Sequence, residues 1–236
     1  MTSQLTVSTG QHTDKGAKPV NQDFHGLVIP DSPQSGIKGI AVAIADGISS
    51  SNVSQIASES AVAGFLNDYY ATPNSWSVKQ SAQRVLRATN AWLHAQTRQS
   101  RYRYDQDRGY VCTLSVLVLK SATAHLFHVG DARIYRLQGN SLEQLTTDHR
   151  VWLSREDSCL NRAMGLSQQV DIDYLAAGDD LDHPALSEFL FDLRQPNPQW
   201  QRHHQKPLME RHPVAFWQGM SALLLLALLA SFAWHP

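Results

Sequence analysis

Between Tyr110 and Leu137 the chain passes through three apolar segments with almost no room to turn between them. They are Tyr110–Leu119 (YVCTLSVLVL), Ala122–Val129 and Arg133–Leu137, separated only by Lys120-Ser121 and Gly130-Asp131. Connections this short make hairpins, so the segments read as consecutive antiparallel strands. Their residues are apolar on both faces, which requires a covering layer on each side of the sheet.

The sequence before them supplies those layers. Leu5–Ser8 and Phe24–Ile29 read as strands, and Gly39–Ala45 (GIAVAIA) is an apolar run ending at Asp46-Gly47. Such a run is the pattern of a buried strand that delivers a carboxylate to its edge. Two helices are predicted next. The first starts near Asn52, with Gln55 as a capping-box partner and Val53, Ile56, Ala57, Ala61, Phe65 and Tyr69 on one stripe. The second runs from Ser77 to Arg98, with Val78, Ala82, Val85, Leu86, Thr89, Trp92 and Leu93 at helical spacing, Trp92 being read as a core filler. Strands, a helix pair and then a meander point to an α+β sandwich of sheets flanked by helices.

The 236 residues have room for one ordinary domain plus a tail, and the formal net charge of −1 gives no field that would favour nucleic acid, so no nucleic-acid partner is expected. Cys112 and Cys159 are far apart, so neither a zinc site nor a disulfide framework is read, and a reducing cytosolic compartment fits. Met1–Gly10 is polar, so no signal peptide is expected. The far end differs: Val214–Trp234 carries no charge, with Trp217 and Trp234 near its ends. As a helix it would span roughly 30 Å, the thickness of a bilayer's hydrocarbon core. Arg202, Lys206 and Arg211 precede it, which by the positive-inside rule places residues 1–213 in the cytoplasm of a single-pass protein. A buried helix of the soluble part is the alternative, and the apolar run Leu223–Leu229, alike on every helix face, weighs against it. Between core and tail, residues 181–213 form a connector with Pro184, Pro196, Pro198, Pro207 and Pro213, read as a solvated linker broken by one short helix around Ala185–Leu193. Three zones follow: 1–180, 181–213 and 214–234.

Two acidic sites carry candidate chemistry. Asn21-Gln22-Asp23 precedes a strand and Asp46-Gly47 closes one. Mg²⁺ and Mn²⁺ take hard oxygen ligands, and carboxylates at strand ends supply them. Glycine after the aspartate lets a backbone carbonyl come close. Taken singly, Asp-Gly is also a plain turn signal, as is Gly130-Asp131.

The order of the pieces separates these readings. GAKPVNQD (16–23), AVAIADG (41–47), VCTLSVLV (111–118), HVGDARIYRL (128–137) and LTTDHR (145–150) together resemble the type 2C metal-dependent protein serine/threonine phosphatases, over residues from about 5 to 180. The resemblance implies that Asp46 bridges two Mn²⁺ or Mg²⁺ ions, that the Gly47 carbonyl binds one of them, and that Asp23 holds metal-bound waters. Lys18 stands where most members place a phosphate-gripping arginine. Lysine keeps the charge and loses the bidentate fork, so weaker phosphate affinity is implied. Thr113 and Asp131 read as fold and turn positions.

The chain also departs from the family. After Ala163–Leu166 and a strand over Val170–Ala176, the family continues to a strand ending in Asp-Gly and later to an Asp-Asn pair. Here Gly178-Asp179-Asp180 leads into Leu181-Asp182-His183-Pro184 instead. A phosphatase-like domain cut short at its C-terminal side is therefore expected, with one ion instead of two and impaired hydrolysis of phosphoserine and phosphothreonine. The segment 187–198 with the tail is similar to the end of bacterial phosphatase–kinase fusions, with the kinase missing. The expected partners are phosphorylated Ser/Thr proteins, a serine/threonine kinase and the inner bacterial membrane. The alternative reading is a non-catalytic pseudophosphatase that binds phosphoproteins or a kinase.

Overall fold

The computed structural model describes residues 5–138, 140–152, 158–177, 187–192 and 223–232. In chain order the elements are β1 (Leu5–Asp14), β2 (Asp23–Val28), α1 (Gln34–Lys38), β3 (Ile40–Asp46), α2 (Ser54–Ala71) and α3 (Val78–Gln99). They continue with a 3₁₀ turn (Gln106–Arg108), β4 (Leu114–Lys120), β5 (Thr123–Val129), β6 (Arg133–Gln138) and β7 (Ser141–Gln144). The last are β8 (Arg150–Trp152), β9 (Ser158–Leu160), β10 (Asp173–Ala177), β11 (Ser187–Asp192) and β12 (Leu223–Phe232).

Two of the three tightly linked strands pair as expected, β4 and β5 forming a hairpin. β6 does not continue it: the Gly130-Asp131 connection carries the chain across to the second sheet, where β6 pairs with β7 and β11, and β10 takes the place beside β5. β3, β4 and β5 are the centre of a sheet ordered β10-β5-β4-β3-β2. Alternation then splits their side chains between two cores. Ala41, Ala43, Ala45, Val116, Val118 and Phe127 face α2 and α3. Ile40, Val42, Ile44, Leu117 and Leu126 face Ile134, Phe189 and Phe191 of the second sheet, whose order is β1-β12-β11-β6-β7. The α+β sandwich expected from the sequence is thus present, with the described helices α2 and α3 on one face of the β3-centred sheet.

Several expectations are corrected. The stripe on α2 is shifted: it buries Ser54, Ala57, Ser58, Ala61, Val62, Phe65, Leu66 and Tyr69, and Ile56 is 43% exposed. Serines replace aliphatics where the helix passes the candidate site, which disguises its inner face. The capping box at Asn52 and Gln55 does not form. Val53 is the cap and makes no side-chain cap bond, while the Ser51 hydroxyl accepts from Val53 N (3.1 Å). On α3, Ser77 caps by accepting from Gln80 N. Trp92 is 46% exposed, at the margin of a stripe centred on Ala82, Leu86, Thr89 and Leu93.

The larger difference lies beyond residue 180. Ser187–Asp192 is a strand and not the short helix read around Ala185–Leu193, and it pairs with β6 and β12. Leu223–Phe232 is a strand as well, lying between β1 and β11, where the sequence reading has a membrane-spanning helix. The rest of 214–234 lies outside the described residues, and among the described residues no helix is long and apolar enough to cross a membrane. An apolar run without polar alternation does not distinguish helix from strand, and here two facing edges, β1 and β11, supply backbone partners for all ten residues of β12 or most of them.

Gly130, in the turn between β5 and β6, has φ +117°, and a Cβ added there would lie 2.5 Å from the Thr113 Cγ2. Gly130→Ala therefore combines left-handed strain with a clash. Urea melts are expected to show a loss of about 2 kcal/mol or more, with the midpoint falling and the slope unchanged.

Candidate active site

Asp23 and Asp46 are register partners across the β2–β3 ladder. Antiparallel partners project to the same face, so two carboxylates begin from directly opposite positions, where like charges repel. Asp23 is buried, and neither of its carboxylate oxygens has a hydrogen-bond partner among the described residues. Burial raises the Asp23 pKa, with Asp46 and Lys18 pulling the other way. Asp46 is pushed well above the usual carboxylate range, first by burial, then by the charges of Asp23 and Asp131. The pair must hold a proton or meet a cation.

The surrounding backbone keeps the pair from relaxing. The Thr113 hydroxyl accepts from Asp46 N at 2.9 Å, Thr113 N donates to Asp46 O at 2.8 Å, and Gly47 N donates to Gln22 O at 3.0 Å. The Gln22 amide in turn donates to Ser51 O (3.0 Å) and the Ser54 hydroxyl (2.7 Å), while the Ser58 hydroxyl donates to Gln22 O (2.6 Å). A Cβ at Gly47 would sit 2.7 Å from Ser54 O, so only glycine brings this backbone so close to α2.

Asp46 and Gly47 open onto a cleft of about 440 Å³, whose wall also includes Ser49, Thr113, Asp131 and Arg150. Lys18 stands at its rim, donating to the Ser49 hydroxyl at 3.3 Å. The residues assigned from sequence, Asp23, Asp46, Gly47 and Lys18, are thus brought together. Asp179 and Asp180 lie outside the described residues.

These groups fit a small hard cation. Asp23 has orphaned buried oxygens, Asp46 carries repulsion a cation would relieve, and Gly47 leaves its backbone unshielded by any side chain. Among the described residues no group of three or more His, Cys, Asp or Glu forms a metal cluster. The fit is to an ion held by one or two carboxylates and otherwise by water, as Mg²⁺ commonly is.

Asp131, read from sequence as a turn residue, is instead a charged wall of the cleft. It is buried, and Arg150 Nη1 donates to its Oδ2 at 2.7 Å. Burial raises its pKa and the Arg150 charge opposes this. The two residues lie 19 apart on different elements, so no local pattern announces the pair. A second polar group lies behind it. His149 Nδ1 accepts from Gly130 N (3.0 Å), and His149 Nε2 meets Asp173 Oδ2 at 2.8 Å. Arg162 binds the other Asp173 oxygen, also at 2.8 Å. His128 packs beside His149 and shares a 2.8 Å hydrogen bond with the Ser115 hydroxyl. Burial, helped by His149, lowers its pKa to about 4, so the neutral His128 stabilises the fold above its unfolded value near 6.5 and this contribution is lost as pH falls towards 4.

The raised carboxylates have the opposite sign. Their contribution is intact below the unfolded value near 4 and is lost as pH rises through their folded values. In metal-free protein, Asp46→Asn is therefore expected to raise Tm, by about 2–4 °C for each kcal/mol of repulsion relieved. The gap over the unsubstituted chain should widen with pH and close when Mn²⁺ is added. Thermal melts across pH 5–8 test this, and a gap that does not change with pH contradicts it.

The sequence profile of the family described as protein phosphatase 2C matches residues 11–167. No curated protein matches the chain at the sequence level. Among solved structures, the Staphylococcus aureus serine/threonine phosphatase Stp1 is similar at TM-score 0.68 and 15% identity, covering 97% of this chain and 96% of its own. The Mycobacterium tuberculosis serine/threonine phosphatase PstP/Ppp is similar at TM-score 0.67 and 16% identity, with 97% of this chain and 99% of that one covered. The PstP catalytic domain crystallised with two manganese ions gives TM-score 0.65 and 18% identity over 97% and 99%. The profile match spans well over half of the chain, and the sandwich is the one these phosphatases share: the chain belongs to the protein phosphatase 2C family.

Proposed function

We propose that this chain is a phosphoserine/phosphothreonine protein phosphatase working with one Mn²⁺ or Mg²⁺ ion, its rate limited by an incomplete metal centre. The observation that carries this reading is the opposed pair Asp23 and Asp46: Asp23 is buried without hydrogen-bond donors at its carboxylate, and Asp46 opens onto a cleft with a lysine at its rim. Asp46 and the Gly47 carbonyl would hold the ion, with Asp23 accepting hydrogen bonds from its waters. When bound, the ion supplies the positive charge that activates a water and offsets the charge of a phosphate ester. Lys18 attracts the phosphate as a point charge and orients it less strictly than an arginine fork. Thr113 fixes the Asp46 backbone, so the carboxylate keeps its aim as charge develops.

The alternative is a pseudophosphatase that binds phosphoproteins or a partner kinase without turnover. Hydrolysis of a phosphothreonine peptide by the full chain with Mn²⁺ decides between them. Activity that falls about 10³-fold in Asp46→Asn supports the enzyme. Peptide binding with no turnover in either protein supports the alternative. Within the enzyme reading, Lys18→Arg is expected to lower KM several-fold by restoring the bidentate grip, and an unchanged or raised KM counts against Lys18 as a phosphate contact.

Tethering at the inner face of a bacterial membrane belongs to the same proposal. It is supported by the uncharged run 214–234 and the basic residues before it, and it requires Leu223–Phe232 to leave its place between β1 and β11. In cell fractionation the full chain should resist alkaline extraction from membranes, and a chain ending at residue 213 should not. Recovery of the full chain in the soluble fraction overturns the tether.

A further inference from the structure

Arg150 is the first residue of β8, and its place in the cleft is fixed from behind. His149 N donates to Gly130 O at 2.8 Å, and Gly130 N donates back to His149 Nδ1 at 3.0 Å. The residue before Arg150 is thus locked to the residue before Asp131. The result is a guanidinium–carboxylate contact of 2.7 Å between side chains that are 12% and 7% exposed. A guanidinium cannot be deprotonated, and it is the basic group best suited to a partly desolvated pair.

The charges in and around the cleft decide what this contact does. Asp46, Asp107 and Asp131 bring carboxylates to the cleft wall, Arg150 brings a guanidinium, and Lys18 stands at the rim. The Asp131 carboxylate is already met by that guanidinium at 2.7 Å, so a divalent ion would have to displace a fixed positive charge to use it. Without Arg150 the Asp131 carboxylate would face the same cleft as Asp46 with no guanidinium opposite it.

We propose that the Arg150 guanidinium is a built-in cation of this cleft, standing against Asp131 in place of a second divalent ion, so that the chain takes up one ion and not two. The inference rests on the metal-dependent reading of the cleft. It accounts for a carboxylate in the cleft wall that the Asp23–Asp46 pair does not use.

Calorimetric titration of the full chain with Mn²⁺ alone tests it, apart from any activity. The unsubstituted chain is expected to take up one ion. Arg150→Ser should take up a second ion, or bind the first at least tenfold more tightly, and Arg150→Lys should behave as the unsubstituted chain. Asp131→Asn, which leaves the guanidinium in place, should still bind one ion, more weakly, and serves if Arg150→Ser does not fold by circular dichroism. Two ions on the unsubstituted chain overturn the proposal. So does an Arg150→Ser titration that matches it, or loss of the ion in Asp131→Asn. Absence of Mn²⁺ uptake by every variant overturns it too, whereas metal-free turnover of phosphothreonine peptide would leave the phosphatase reading standing alone.

Discussion

Two carboxylates placed opposite one another on adjacent strands set the terms for everything around them. Asp23 and Asp46 share a rung of the β2–β3 ladder, and burial denies them the water that would screen their repulsion. A fold optimised only for stability would not keep this arrangement. It persists because the strand ends are clamped: Thr113 bonds both the N–H and the C=O of Asp46, and Gln22 is tied into the first turn of α2 through Ser51 and Ser54. The repulsion is therefore stored in place, as strained and charged sites generally require.

The architecture follows from where that clamp must sit. Thr113 precedes β4 and Gln22 precedes β2, so the carboxylates depend on β2, β3 and β4 being neighbours in one sheet. The same sheet buries small side chains, Ala41, Ala43 and Ala45, on the helix side, which lets α2 approach until Ser54 O lies where a Gly47 side chain would be. The other wall of the cleft has a separate support, the His149 latch onto the Gly130 turn, anchored through Asp173 and Arg162. The Asp23–Asp46 carboxylates and the Asp131–Arg150 pair are thus each held by a separate hydrogen-bonded frame.

Much of this could be read from the sequence, and the failures have physical causes. The strands β3 to β6 and the helix α3 were legible because tight connections and apolar periodicity are local signals. Asp46-Gly47 and Asp23 were legible as candidate ligands because a carboxylate at a strand end has few purely structural uses. The inner face of α2 was misread because Ser54 and Ser58 point inward to serve the site, so polarity no longer marked exposure. Asp131 was read as a turn because its role depends on Arg150, and a partner on another element leaves no mark in the sequence around either residue. Trp92 was placed in the core by its size, yet it lies beyond the edge of the helix stripe that packs.

The segment Leu223–Phe232 obeys two physical rules that lead to different structures. Its uniform apolarity suits a helix in hydrocarbon, where every backbone group must be satisfied within the segment. In the sheet its backbone is satisfied instead by β1 and β11, and it separates two strands that would otherwise present open edges. The two solutions exclude each other, but they do not weigh equally on the molecule. β12 belongs to the sheet of β1, β11, β6 and β7, whereas the clamped carboxylates belong to the other sheet, held from one side by α2 and α3. Departure of β12 would unpair β1 along its whole length and expose an edge of β11. The β2–β3–β4 ladder and the Thr113 clamp use no residue of that strand. The hydrogen-bonded frame of the cleft and the fate of the apolar segment are therefore separable, and among the described residues they meet through the shared core at Phe189 and Phe191 and through β1, whose Thr13 hydroxyl accepts from the Asn21 side chain.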